Sequence, residues 1–157
     1  MIVDPESLAL LGGAIALAGG LAGSSIGIAQ AASAGVAILA DDPKQLRNVI
    51  VLASLPMTQT FYGLIILIIV LTTVMPKVAD MGAGYGFAVL GCGVIAALAE
   101  AYSAAYQGSV CASGISLLSK TKGRILTNAM MLAVFVELLG VLGLVFTIMA
   151  LSMIGVM

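Results

Sequence analysis

The stretch MLAVFVELLGVLG, residues 131–143, places one carboxylate, Glu137, inside an apolar run from Ile125 to Met157 that holds no other charged residue. An acid at the centre of a membrane helix is costly, at roughly 2.5 kcal/mol or more on insertion scales, and such residues mark ion or proton pathways. The whole chain reads the same way. Of its 157 residues 62% are hydrophobic and 8% are charged, with no His and no Trp, whereas about a quarter of the residues of a soluble domain are charged. The expected fold is therefore all-α and integral to a membrane. A net charge of −1 suggests no nucleic-acid partner. Cys92 and Cys111 both lie in apolar stretches, so free thiols are expected rather than a disulfide or metal site. Asp4 and Glu6 precede the first apolar run with no basic residue, unlike a cleaved leader, so that run is expected to remain as a helix.

Four segments exceed the ~20 residues that span a bilayer. They run from about residue 8 to 40, 49 to 75, 85 to 119 and 125 to 155. A polar break, Asp41–Asn48, separates the first two, and Lys120–Arg124 separates the last two. Lys44, Arg47, Lys120, Lys122 and Arg124 fall in these breaks and only Lys77 in the middle connection. The positive-inside rule puts both breaks in the cytoplasm and both termini outside. Sliding the first half along by 79 residues puts Gly35 on Gly114, Leu39 on Leu118, the breaks on each other, and Thr58 on Glu137. Residues 1–80 and 81–157 thus read as two duplicated antiparallel hairpins, a pattern common in transport machinery.

Small residues recur every fourth position at Gly19, Gly23, Gly27, Ala31 and Gly35, and again at Ala96, Ala104, Gly108 and Ala112, where Glu100 interrupts. Such stripes let helix backbones approach closely in lipid. Segments two and four carry Leu, Ile, Val, Met and Phe instead. The first and third helices are expected to pack tightly against copies of themselves, with the second and fourth outside them, as in a multi-subunit ring.

The polar residues inside the segments share one depth. Glu137 stands thirteen residues after Arg124, Thr58 and Gln59 eleven and twelve after Arg47, and Gln107 thirteen before Lys120. Pro56 lacks an N–H and distorts its helix, which can free a main-chain carbonyl for a ligand. A proton carrier needs only the carboxylate. A bound metal cation needs several oxygens, and hard cations prefer carboxylate, carbonyl and hydroxyl oxygen. Glu137, the amides of Gln59 and Gln107, the Thr58 hydroxyl and the Leu55 carbonyl can provide them, and Tyr62 can donate to the Glu137 carboxylate. One negative charge among neutral oxygens suits a monovalent ion.

These residues carry a resemblance over essentially the whole chain. It resembles the V-type (V/A-type) ATPase rotor-ring proteolipid, subunit K or c, in its duplicated four-helix form. The likeness is to sodium-translocating members in particular: their L-P-x-T-Q-x-x-Y motif stands here as Leu55-Pro56-Met57-Thr58-Gln59-Thr60-Phe61-Tyr62, with Gln107 in Tyr106-Gln107-Gly108 and Glu137 in Val136-Glu137. The resemblance implies Na⁺ bound by Leu55, Thr58, Gln59, Gln107 and Glu137, with Tyr62 behind the carboxylate. It also implies a homo-oligomeric ring in a lipid bilayer, such as a prokaryotic cell membrane. The ring turns against a stator subunit that carries an Arg, and a cytoplasmic central stalk docks on the polar turns. The same ring carrying H⁺ is the alternative. No phosphate-binding Gly-Lys-Ser/Thr motif is present, so ATP chemistry belongs to partner subunits and this chain is not itself an enzyme. A self-contained cation channel or carrier would need more polar lining than one four-helix unit supplies, and a non-transporting scaffold would not need clustered ligands. Glu100 departs from the family pattern, about 10 Å outward of Gln107 on the same face. Three readings stand for it: a lumen-facing group, a protonated acid bonded to a Ser or Tyr, or a second ion site.

Overall fold

The computed structural model describes residues 4–157. Four helices long and apolar enough to cross a membrane make up most of the described residues: α1 (Pro5–Asp41), α2 (Pro43–Val78), α3 (Ala83–Ser116) and α4 (Leu126–Met153). Helix α1 starts where Asp4 accepts hydrogen bonds from the Ser7 N–H (2.9 Å) and hydroxyl (2.6 Å), with Pro5 behind it at a position that needs no N–H. Those bonds from Ser7 hold the exposed Asp4 carboxyl below its usual range.

The polar break is shorter than the sequence suggests. Only Asp42 leaves the helix, and Pro43 already opens α2 with one 3₁₀ turn. Asp42 accepts from the Lys44 N–H (3.2 Å) and from Gln45 Nε2 (3.0 Å), so Asp-Pro acts as a helix start rather than as a loop. At the same end α3 finishes, a single helical turn Leu118–Thr121 follows, and the chain reverses through Lys122 and Gly123, both with positive φ (51° and 81°). A Cβ on Gly123 would lie 2.9 Å from Asn48 Nδ2. The two polar turns are therefore neighbours, as two antiparallel hairpins side by side require.

Among the described residues helices α1 and α3 form the most extensive contact, with α2 packed chiefly on α1 and α4 on α3. The small-residue stripes make this possible. A Cβ on Gly108 would overlap the Gly27 backbone, and one on Gly93 the Gly12 backbone. Two apolar clusters fill the interior. One gathers Ala9, Ala16, Ile66, Val70, Val89 and Leu151, and the other Ala31, Leu52, Cys111, Ile115, Leu118 and Ala133. On every helix the residues between these clusters include the polar ones, which places the site at mid-height. Cys92 and Cys111 are both free, and Cys111 is buried.

Candidate functional site

Pro56 shapes the first wall of the site. Without an N–H it cannot continue the α-helical ladder, and Leu55–Met57 tighten into a 3₁₀ turn within α2. That turn aims the Leu55 carbonyl at the Thr58 hydroxyl, which donates to it at 3.2 Å and reaches Gln59 Oε1 at 3.1 Å. Gln59 is fully buried and turns its amide toward α3, where Nε2 donates to Gln107 Oε1 and to Ser103 Oγ, both at 3.0 Å. Gln107, also fully buried, donates in turn to Glu137 Oε2 at 3.1 Å and more weakly to the Ala133 carbonyl at 3.4 Å. Tyr62 closes the other side, its hydroxyl donating to Glu137 Oε1 at 2.9 Å.

Every residue singled out from the sequence for the ion thus belongs to one hydrogen-bonded string drawn from three helices. It runs from the Leu55 carbonyl through Thr58, Gln59 and Gln107 to Glu137, with Tyr62 on the carboxylate. Both carboxylate oxygens of Glu137 take a neutral donor, and no basic residue takes part. Glu137 and Tyr62 are partly exposed where α2 and α4 meet, whereas Gln59 and Gln107 are sealed. An exchangeable ligand needs this arrangement, with a rigid buried back wall and an accessible carboxylate in front.

Ser103 is the member that the sequence does not single out. It accepts from Gln59 and donates to the Val136 carbonyl at 2.9 Å, tying α2, α3 and α4 together at the level of the site. Its spacing from Gln107, four residues on the same helix, puts the two on one face. That is the available signal, but serines on helices usually bond their own backbone, as Ser113 and Ser116 do here.

Glu100 does not face a lumen. It is 0% exposed and packs against Gly140 and Gly143 of α4, because those glycines let α4 approach α3 closely on that side. Neither carboxyl oxygen has a hydrogen-bond partner among the described residues.

Comparison with known proteins agrees with this layout. The ATP synthase C-subunit family matches the chain twice, over residues 11–70 and 90–150, one match per hairpin. The A-type ATP synthase subunit K of Methanocaldococcus jannaschii is 30% identical over 153 residues, 96% of this chain and 64% of that protein. The chain therefore spans somewhat less than two thirds of that relative's length. The V-type sodium ATPase subunit K of Enterococcus hirae is 30% identical over 123 residues, covering 78% of this chain and 76% of that protein. With four membrane-length helices in two matching hairpins and a connected string of polar groups across their middle, the chain belongs to the ATP synthase C-subunit family.

Proposed function

We propose that the chain is a rotor-ring subunit of a V/A-type ATPase and carries Na⁺ across the membrane on Glu137. The observation that supports this most is the company the carboxylate keeps. The Leu55 carbonyl, the Thr58 hydroxyl and the amide oxygens of Gln59 and Gln107 stand in one connected set with it. A proton needs a single oxygen, whereas a desolvated Na⁺ needs several to replace its water. Gln59 Oε1 already points to Thr58, and a turn of the Thr58 hydroxyl and the Gln107 amide presents their oxygen lone pairs beside it, while Tyr62 fixes the carboxylate. The relative named as a sodium ATPase subunit points the same way. The hydrogen bonds among Thr58, Gln59 and Gln107 also close on one another, which favours a proton ring as the second reading.

In the cycle that follows, an ion enters from one side of a stator and binds Glu137. The pair is then close to neutral, which lowers the cost of carrying it past lipid. After nearly a full turn the site meets a stator Arg, which displaces the ion and leaves the carboxylate paired until it moves on. The polar turns at Asp41–Asn48 and Lys120–Arg124, placed in the cytoplasm with both termini outside, offer the contact for a central stalk. ATP is hydrolysed or made in partner subunits.

Membrane vesicles that contain the whole complex provide the test. ATP hydrolysis is expected to rise with NaCl but not KCl, and ATP-driven accumulation of radioactive Na⁺ to persist with a protonophore present. Hydrolysis indifferent to Na⁺, with accumulation abolished by the protonophore, would assign the ring to protons.

A further inference from the structure

Glu100 is the one membrane-embedded carboxyl that the ion site leaves unused. Its Oε2 lies 2.8 Å from the position that a Cβ on Gly140 would take, and Ser103 Oγ lies 3.0 Å from the same point. Its Oε1 lies 3.6 Å from the corresponding position on Gly143. A Cβ at 140 would crowd the carboxyl where it now lies, and the two glycines form a bare patch of α4 that houses it. Both oxygens are shut off from solvent and unpartnered among the described residues. All six Lys and Arg residues, at 44, 47, 77, 120, 122 and 124, sit at helix ends or turns, far from mid-height.

A bare carboxylate in such a place is strongly disfavoured, so a cation must accompany it. A metal ion would need a shell of oxygens, and of the three described atoms nearest the Gly140 point, Ser103 Oγ is the one oxygen besides that of Glu100. A proton needs one acceptor. Ser103 gives its hydroxyl hydrogen to the Val136 carbonyl and accepts one bond from Gln59, which leaves one lone pair free.

We propose that Glu100 is a second cation-holding site in every subunit, and that its cation is a proton which stays in place while Glu137 exchanges its own ion. The carboxyl is unpartnered as it stands, and the neutral acid, turned toward Ser103, donates to its Oγ and fills its last acceptor position. With both lone pairs of Ser103 occupied, its hydrogen is committed to Val136, and the Gln59 amide is held with Nε2 toward Ser103 and Oε1 toward the ion site. Glu100 is thus a positioning residue for Gln59.

Infrared spectroscopy of the purified ring tests this, read in the carboxylic-acid carbonyl stretch at mildly alkaline pH, where the carboxyls at the helix ends are ionised. In a Glu137→Gln ring, which makes the test independent of the ion that Glu137 carries, one protonated carboxyl per subunit is expected. It should vanish when Glu100→Gln is added. The wild-type ring saturated with NaCl is expected to show the same band, so the test does not hang on either variant assembling. Carboxylate bands alone in these rings would overturn the proposal, as would two bound Na⁺ per subunit in the wild type. For the positioning role, a Glu100→Gln ring keeps a donor for Ser103, and its Na⁺ affinity is expected within about threefold of wild type. Glu100→Leu, which loses that donor, is expected to bind about tenfold more weakly. Equal losses in the two variants would remove the role assigned to the acid's hydrogen bond.

Discussion

Replacing Glu137 by Gln is expected to abolish Na⁺ transport by the complex while leaving the ring assembled. The amide is nearly isosteric, and it can still meet the Tyr62 hydroxyl and the Gln107 amide that now hold the carboxylate at 2.9 and 3.1 Å. What is lost is the only negative charge in the string of polar groups. A cation bound there would then stand uncompensated at mid-membrane, at a cost of roughly 2.5–3.5 kcal/mol. That corresponds to an affinity loss of about a hundredfold or more. The loss in turnover should be larger still, because a site that carries no charge between ions has nothing for a stator Arg to engage. Ion binding to purified rings and ATP-driven Na⁺ uptake in vesicles separate the two effects. Uptake above a tenth of the wild-type rate would mean that the charge of Glu137 is dispensable.

The second large effect belongs to the fold. Gly108 of α3 meets Gly27 of α1 so closely that a Cβ on Gly108 would overlap the Gly27 backbone, and neither helix can bend away without parting the whole α1–α3 contact. Overpacking of a tight core costs about 1–3 kcal/mol when side chains can shift. Here the obstacle is main chain, so Gly108→Leu belongs at or above the top of that range. The expected result is loss of assembled ring from detergent extracts and degradation of the subunit. Gly91 offers the contrast within the same helix, since nothing lies within 4 Å of its Cβ position. Gly91→Ala is expected to leave the subunit folded and gains helix propensity. Equal yields of ring from the two variants would show that the glycine stripe does not determine the packing.

Much of this architecture is legible in the sequence, for physical reasons that differ from residue to residue. Chain length in hydrocarbon is a severe constraint, so the four helices and their hairpin order follow from apolar runs and two basic turns. Pro56 announces its own distortion through the missing N–H, and the 3₁₀ turn is where that residue demands it. Polar side chains are so few inside the segments that counting from the helix ends brings Thr58, Gln59, Gln107 and Glu137 to one depth, where the structure joins them by hydrogen bonds. The rest depends on which way helices face each other. Ser103 looks like any helix serine until α2 and α4 are placed beside it. Glu100 shares a face with Gln107 by spacing alone, yet its surroundings are set by Gly140 and Gly143 of another helix. The first polar break reads as a loop because its composition is polar, but Asp42 and Pro43 are a start signal that lets α2 begin at once.

The most direct test of the central claim is the rate at which a carbodiimide labels Glu137 in the purified ring, with and without NaCl at fixed pH and ionic strength. If Glu137 and its neutral oxygen neighbours bind Na⁺, then Na⁺ slows labelling, K⁺ does not, and the protection is lost in Gln107→Ala. Labelling that follows pH alone, with no effect of Na⁺, would contradict the account and leave a ring that carries protons.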